Sequence, residues 1–452
     1  MIPAETLHGL ARELEAESIS SRDLIEYCLA NVKSAGSGAA TILLELDVDE
    51  VRSSADQQDR LRKCGRHSSP FAGVPFSVKD LFDVQGQVTG AGTPSRKTTP
   101  VAQRTAEAVS RLVLAGMIPF GRTNMTQFAY SGLGLNPSFG TPPNRWDGLT
   151  DYAPGGSSSG AASSVVAKFA AFGLGTDTGG SCRIPAAFQG LVGFKPTAST
   201  VSRSGMLPLS PSLDSVGPIA RTVGCCAAVW QLLSGVSRDL SQIHDNFSSP
   251  RLMVPTDVVM DDIEPAVAKD FERSLAALSE KGWEIREEPL PFLHDIVAIN
   301  TSGGFPALES HRIYGDYIMR HLEDVDPRVA SRIMRGRTLA ESYGEDLETL
   351  RRSAIASFNE VFRNYDAVAY PSVAITPPRL TDLETDQAYY RTNALALRNT
   401  GFINFLDGCA ISIPMHDPGR APTGFMLSSA SLDDCKLLSL AERAEAAIRR
   451  GL

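Results

Sequence analysis

The chain begins with helical spacing. Leu7, Leu10, Ala11 and Leu14 recur every three or four positions and predict one helix. Ser20-Ser-Arg-Asp23 is a capping-box pattern and predicts the start of a second, which carries Leu24 and Cys28 inward. Ile42-Leu-Leu-Glu-Leu46 has the texture of a strand, and residues 47–63 that of a polar helix. From Phe71 to Arg221 short apolar runs alternate with Gly, Pro, Ser and Thr turns. Within that stretch, residues 74–78 and 117–121 predict buried strands, with a helix at 105–115 before the second. Residues 160–169 predict a small-residue helix that leads into a strand at 171–175. Strands alternating with helices predict an α/β fold: a central mixed, mostly covered β-sheet surrounded by helices.

The polar segment 239–250 reads as a surface connection. Beyond it, 252–254 predicts a short strand. Val267, Phe271, Leu275 and Leu278 mark one face of a helix that Gly282 ends, and 283–286 returns as a strand. Residues 305–365 are charged and helix-like, 366–375 and 409–414 predict late strands, and 433–450 predicts a closing helix. No repeat and no low-complexity tract interrupts the pattern. No linker is clear enough to cut the chain, so 1–452 reads as a single domain, with the helix-rich part at about 240–365 as a possible subdomain.

At 452 residues and 42% hydrophobic, the chain can bury a large core. Its net charge of −9 argues against nucleic acid or an anionic membrane as a main partner. Met1-Ile-Pro-Ala-Glu-Thr lacks a basic region followed by an apolar core, so no signal peptide is expected, and no uninterrupted apolar run predicts a membrane span. Seven scattered cysteines form no CxxC pair, which predicts a reducing, cytoplasmic setting and neither a zinc knuckle nor a disulfide framework.

Two glycine- and serine-rich clusters stand out: Pro154-Gly-Gly-Ser-Ser-Ser-Gly160 and Gly175-Thr-Asp-Thr-Gly-Gly-Ser-Cys-Arg-Ile-Pro185. Gly179-Gly180-Ser181 offers backbone N–H groups in a turn without bulky side chains, suited to a developing oxyanion. A serine there can attack a carbonyl if a base takes its proton. Lys79, in the apolar setting Gly73-Val-Pro-Phe-Ser-Val-Lys-Asp-Leu81, is a candidate base, because burial would lower its pKa. Taken singly, each feature also has a plain reading. A Gly/Ser run is a flexible loop, and a lone lysine is a surface residue or an ion pair with Asp80. Neither GxxxxGK[ST] nor GxGxxG spacing occurs, so the turns do not read as phosphate cradles.

Together with Gly193-Phe-Lys-Pro-Thr197, Asp214-Ser-Val-Gly-Pro218, Arg221 and Gly121-Arg-Thr-Asn-Met125, these segments resemble the amidase signature family, most densely over about 71–222. The resemblance implies a cofactor-free, metal-free amidohydrolase that cleaves the carboxamide C–N bond of a small molecule through a seryl acyl-enzyme. Ser181 would be the nucleophile, Ser157 the bridging serine after a cis peptide bond, and Lys79 the neutral base. Backbone amides of Thr178, Gly179, Gly180 and Ser181 would form the oxyanion hole. Asp177 and Arg183 would hold the loop, and Ser158 would support the relay. Asn124, Met125, Phe128 and Tyr130 would contribute to the substrate pocket, and the aromatics Phe128, Tyr130, Phe139 and Trp146 read either as lining of a hydrophobic pocket or as core. A homodimer is compatible with the resemblance. Ser159 stands where a second glycine is usual, and Cys182 replaces an aliphatic residue.

Two alternatives stay open at this level. Gly156-Ser-Ser-Ser-Gly160 formally matches G-x-S-x-G with Ser158 central, which with His416 would make an α/β-hydrolase-type esterase. Within the resembling family, one branch is the glutaminase component of a tRNA-dependent amidotransferase, which releases ammonia for a partner.

Overall fold

The computed structural model describes residues 3–237, 249–339 and 346–450. Most of the predicted polar connection at 239–250 lies outside them. Eleven strands form one sheet: β1 (Leu43–Glu45), β2 (Pro75–Lys79), β3 (Ile118–Thr123), β4 (Phe172–Asp177), β5 (Val192–Lys195), β6 (Ser215–Ala220), β7 (Arg251–Pro255), β8 (Glu284–Glu288), β9 (Ala367–Pro371), β10 (Cys409–Pro414) and β11 (Gly424–Ser429). Their order is β1-β3-β2-β4-β6-β5-β10-β11-β9-β7-β8. β2 has parallel neighbours on both sides, β3 and β4, and β7 lies parallel to β8 and β9. The other pairs are antiparallel, so the sheet is mixed as the pattern predicts.

Strand side chains alternate between the two faces. Leu252, Val254, Ala369, Ile411 and Phe425 pack on one side with Trp230, Phe271 and Leu437. Met253, Val368, Tyr370, Ala410 and Met426 pack on the other with Phe305, Phe358 and Phe402. Helices Val223–Ser234, Pro265–Glu280 and Asp434–Arg450 therefore cover one face, and Gly304–Arg320, Asp346–Val361 and Asp386–Phe405 the other. The edge strand β8 is a charged, mostly exposed Glu-Ile-Arg-Glu-Glu, which discourages pairing with a foreign strand. No helix among the described residues is long and apolar enough to cross a membrane.

Local chemistry explains most boundaries. The Ser20–Asp23 capping box forms and opens helix Ser21–Ser34. Asp47 caps helix Val48–Lys63, accepting from the amides of Asp49 and Glu50. The apolar run at 74–78 extends one residue to end β2 on Lys79, and the run at 171–175 extends to end β4 on Asp177. β5, β6 and helix Asp386–Phe405 carry no clear pattern in the sequence. β6 reads Ser-Val-Gly-Pro-Ile-Ala, and glycine and proline are poor signals for a central strand. The helix buries Asn393, Asn399 and Asn404, which breaks its apolar period.

Candidate active site

Parallel strands β2 and β4 are neighbours, and ligands of open α/β sheets sit beyond the carboxyl ends of such strands. β2 ends there on Lys79, and β4 runs through Asp177 into the turn that carries Ser181. Lys79 is completely buried. Its Nζ lies 2.8 Å from Ser157 Oγ, 2.9 Å from Ser158 Oγ and 2.7 Å from Thr176 Oγ1. The neighbouring Asp80 does not pair with it. Asp80 accepts instead from Arg122 Nη1 at 3.2 Å and from the amides of Gly90 and Gly92. Burial without a carboxylate at hydrogen-bond distance lowers the Lys79 pKa to about 7, against a weaker upward pull from Cys182, Asp177 and Asp214.

Proton counting then constrains the cluster. A neutral amine has two N–H donors and one lone pair, so one of the three surrounding hydroxyls must donate to it. Ser158 Oγ already donates to the Thr176 carbonyl at 3.3 Å. The donor to Lys79 is thus Ser157 or Thr176.

The serine turn is anchored by backbone. The Gly156–Ser157 peptide is cis. The amides of Gly155 and Gly156 donate to Leu133 O and Gly132 O, and Ser157 O accepts from the Thr126 amide at 3.1 Å. Ser158 N donates to Ser181 O at 3.3 Å, which lays the two serine turns side by side. Gly175 permits that approach: a Cβ there would sit 2.9 Å from Ser158 Oγ and 3.0 Å from Cys182 Sγ.

The second turn hangs on Asp177. Its carboxylate takes two bonds from Arg183, at 3.0 and 2.8 Å, with both side chains fully buried. It also accepts from the amides of Gly180 (2.9 Å) and Cys182 (3.1 Å) and from Asn404 Nδ2 (3.0 Å). Burial is the largest single influence and raises this carboxyl, but the Arg183 guanidinium, Lys195 and Asn404 together outweigh it and hold the pKa well below the usual range. Arg183 continues to Thr400 O and Asn404 Oδ1, tying the turn to helix Asp386–Phe405. Gly180 adopts φ +129°, and a Cβ there would lie 2.2 Å from Thr400 Oγ1. Thr178 Oγ1 donates to Asp214, whose carboxyl burial raises to about 7.

One sequence assignment changes here. The Gly180 amide points at Asp177 and so braces the loop, which takes it out of the set of free oxyanion donors. Among the described residues, the amides of Gly179 and Ser181 carry no such bond. Cys182 is fully buried and burial pushes its thiol far above the usual range, as suits a packing residue.

A cavity of about 700 Å³ opens beside Ser181, Thr178 and Gly179. Of the four residues expected in the pocket, only Tyr130 lines it. Asn124 is a buried brace, donating to Thr41 O and Gly140 O and accepting from Met125 N. Met125 is core, and Phe128 packs against Tyr314 at 5.0 Å. Phe139 and Trp146 also lie outside the lining, Trp146 against Tyr152. Much of the wall comes from the helical region that carries no recognisable motif: Val297, Asn300, Arg332 and Arg335, with Asn393, Leu397 and Arg398 from helix Asp386–Phe405. The one signal in the sequence is the pair of arginines in Ser331-Arg-Ile-Met-Arg335, which blends into a segment that reads as charged helix.

The family model described as amidase matches residues 23–438. The chain belongs to the amidase family. It is accordingly a hydrolase acting on carbon–nitrogen bonds. It is 34% identical to the 2-amino-5-chloromuconic acid deaminase of Comamonas testosteroni, over 90% of this chain and 88% of that one. It is 30% identical to a glutamyl-tRNA(Gln) amidotransferase component of Symbiobacterium thermophilum, over 96% and 93%. A solved amidase structure superposes with a TM-score of 0.88 at 31% identity, covering 98% of this chain and all of that one. The esterase alternative loses its ground. No strand runs directly into Ser158, since residues 153–157 lie in none, and Ser158 faces Lys79, while His416 sits after β10 against Thr423.

Proposed function

We propose that the enzyme hydrolyses a small-molecule carboxamide with Ser181 as nucleophile, Ser157 as relay and Lys79 as base. The observation that carries this reading is the completely buried Lys79, whose hydrogen-bond partners among the described residues are all hydroxyls, at 2.7–2.9 Å. A lysine with a pKa of about 7 is substantially neutral near pH 7 and can accept a proton. Ser157 gives its proton to Lys79 Nζ as it takes that of Ser181 Oγ. The freed Ser181 oxygen bonds to the amide carbon, and the carbonyl electron pair moves onto oxygen, facing the Gly179 and Ser181 amides beside Thr178. Collapse of the tetrahedral adduct breaks the C–N bond. The proton returns through Ser157 to the leaving nitrogen, which departs as ammonia or an amine. Water, deprotonated by the same relay, then releases the acid and frees Ser181. Gly180, Asp177 and Arg183 keep the turn in shape, and Ser158 with Thr176 holds Lys79 in place.

The amidotransferase relatives favour a second reading, in which glutamine is the amide and a partner takes the ammonia. Glutamine brings an α-ammonium group, and among the described residues no Asp or Glu lines the cavity to receive it. A free amidase acting on an uncharged or anionic acyl group fits these walls better. A cytoplasmic location agrees with seven free thiols, and a homodimer with the resemblance. The test is ammonia release from aliphatic, aryl and dicarboxylic half-amides, with glutamine alongside. Release that Ser181→Ala abolishes is expected; turnover that survives Ser181→Ala refutes the assignment.

A further inference from the structure

The wall of the cavity has one sign of charge. Three arginines line it, Arg332, Arg335 and Arg398, and among the described residues no carboxylate does. None of the three takes part in an ion pair between described residues, whereas Arg328, one turn before Arg332, pairs with Asp386 at 2.8 Å. This occurs in a chain whose net charge is −9, so the cationic wall runs against the protein's overall balance. A cleft lined by one sign of charge concentrates the opposite sign.

The arginines are held by neutral hydrogen-bond partners. Arg332 Nη1 donates to Tyr130 O at 2.9 Å, and its guanidinium lies 4.3 Å over the Tyr130 ring. Arg335 Nη1 donates to Thr301 O at 3.1 Å. Arg398 Nε donates to Asn399 Oδ1 at 3.0 Å, and its Nη2 to Val259 O at 3.4 Å. Burial lowers the Arg398 pKa, with Asp261 and Asp262 acting from a distance in the opposite sense. A guanidinium oriented in advance by a carbonyl and a ring loses little freedom when it takes a carboxylate on its remaining N–H groups. Arg183, the other arginine near the nucleophile, is spent on Asp177.

We infer that the acyl part of the substrate carries a carboxylate, held by Arg332 with help from Arg398 and Arg335, so that the substrate class is the half-amide of a dicarboxylic acid. This rests on the amidase reading above. The apolar stretches of wall, Leu209, Leu213, Val297 and Leu397, would take the carbon chain between the two ends.

The experiment compares ammonia release from monoamides of three- to six-carbon dicarboxylic acids with alkanamides of matched length. The half-amide should be favoured in kcat/KM by about tenfold or more, the scale of a charge-assisted hydrogen bond. Arg332→Gln should shrink that ratio by about tenfold, Arg332→Lys should restore part of it, and Arg398→Gln should shrink it less. Thermal melts confirm that each variant is folded. A ratio near one in the wild type, or one that neither glutamine variant moves, overturns the inference. Calorimetric titration of Ser181→Ala with glutarate and adipate reads carboxylate binding without turnover. Binding that Arg332→Gln weakens supports the inference, and absence of binding overturns it. Carboxylate binding that Arg332→Gln weakens, with no turnover of any amide, would place the failure in the proposed Ser181 chemistry and not in the carboxylate-binding wall.

Discussion

Arg183→Met removes one half of a fully buried ion pair and leaves the other half in place. Asp177 then keeps its bonds from Gly180, Cys182 and Asn404 but loses its cation. Stranding a buried charge in this way costs about 3–5 kcal/mol. The carbonyl of Thr400 and Oδ1 of Asn404 also lose a donor, so the loss belongs at the upper end of that range. Urea unfolding at pH 7.5, followed by tryptophan fluorescence, reads the change as a midpoint shift at constant slope. Asp177→Asn combined with Arg183→Met removes the stranded charge and should recover at least about 1 kcal/mol of the loss. The pH dependence follows from the direction of the pKa shift. In the wild type the Asp177 carboxyl is held below its unfolded value, so the stability it contributes is present above about pH 4 and is lost as pH falls below that. In Arg183→Met the carboxyl is buried without its cation and rises above the unfolded value, so acidification relieves it. The gap between wild type and variant should therefore narrow from pH 7.5 to pH 5.5. A loss under about 1 kcal/mol, or a double variant no more stable than the single, would refute the idea that this pair supports the oxyanion turn.

As the proposed base, Lys79 must be neutral, so kcat/KM should rise with pH through an acid limb near 7. Burial also raises the Asp214 carboxyl to about 7, so both groups change charge across this limb. Lys79→Ala should lose roughly 10²–10⁴-fold at pH 7 and recover part of it at high pH; full activity at neutral pH would exclude the lysine base. Ser159 Oγ is buried with no hydrogen-bond partner among the described residues. Ser159→Ala should thus unfold at the same or slightly higher urea concentration and retain its turnover, and a loss of more than about 1 kcal/mol would show that this hydroxyl is used.

The chemistry of the site lies in short segments whose residue types declare their geometry. Gly175 and Gly180 mark places where serine or threonine hydroxyls approach too closely for a Cβ, and Asp177 with Arg183 marks the brace. Apolar runs around Lys79 predict its burial, and the structure gives that burial its effect on the pKa. The use of individual amides is not legible in the sequence, because only three-dimensional placement distinguishes Gly180 N–H, turned to Asp177, from its neighbours. The cavity wall is hidden for a different reason. Its residues come from turns and helices far apart in the chain, and Asn124 and Phe128 sit close to Tyr130 in sequence yet pack away from the cavity. Spacing reports which face of an element is buried, but it does not report which distant elements meet.

The covalent step can be read directly. Wild-type enzyme, quenched in acid during turnover of the best amide, should show the acyl mass on the peptide containing Ser181, and Ser181→Ala should show none. Acylation of Ser157, Ser158, Ser159 or Cys182 instead, or steady turnover by Ser181→Ala, would contradict Ser181 as the nucleophile.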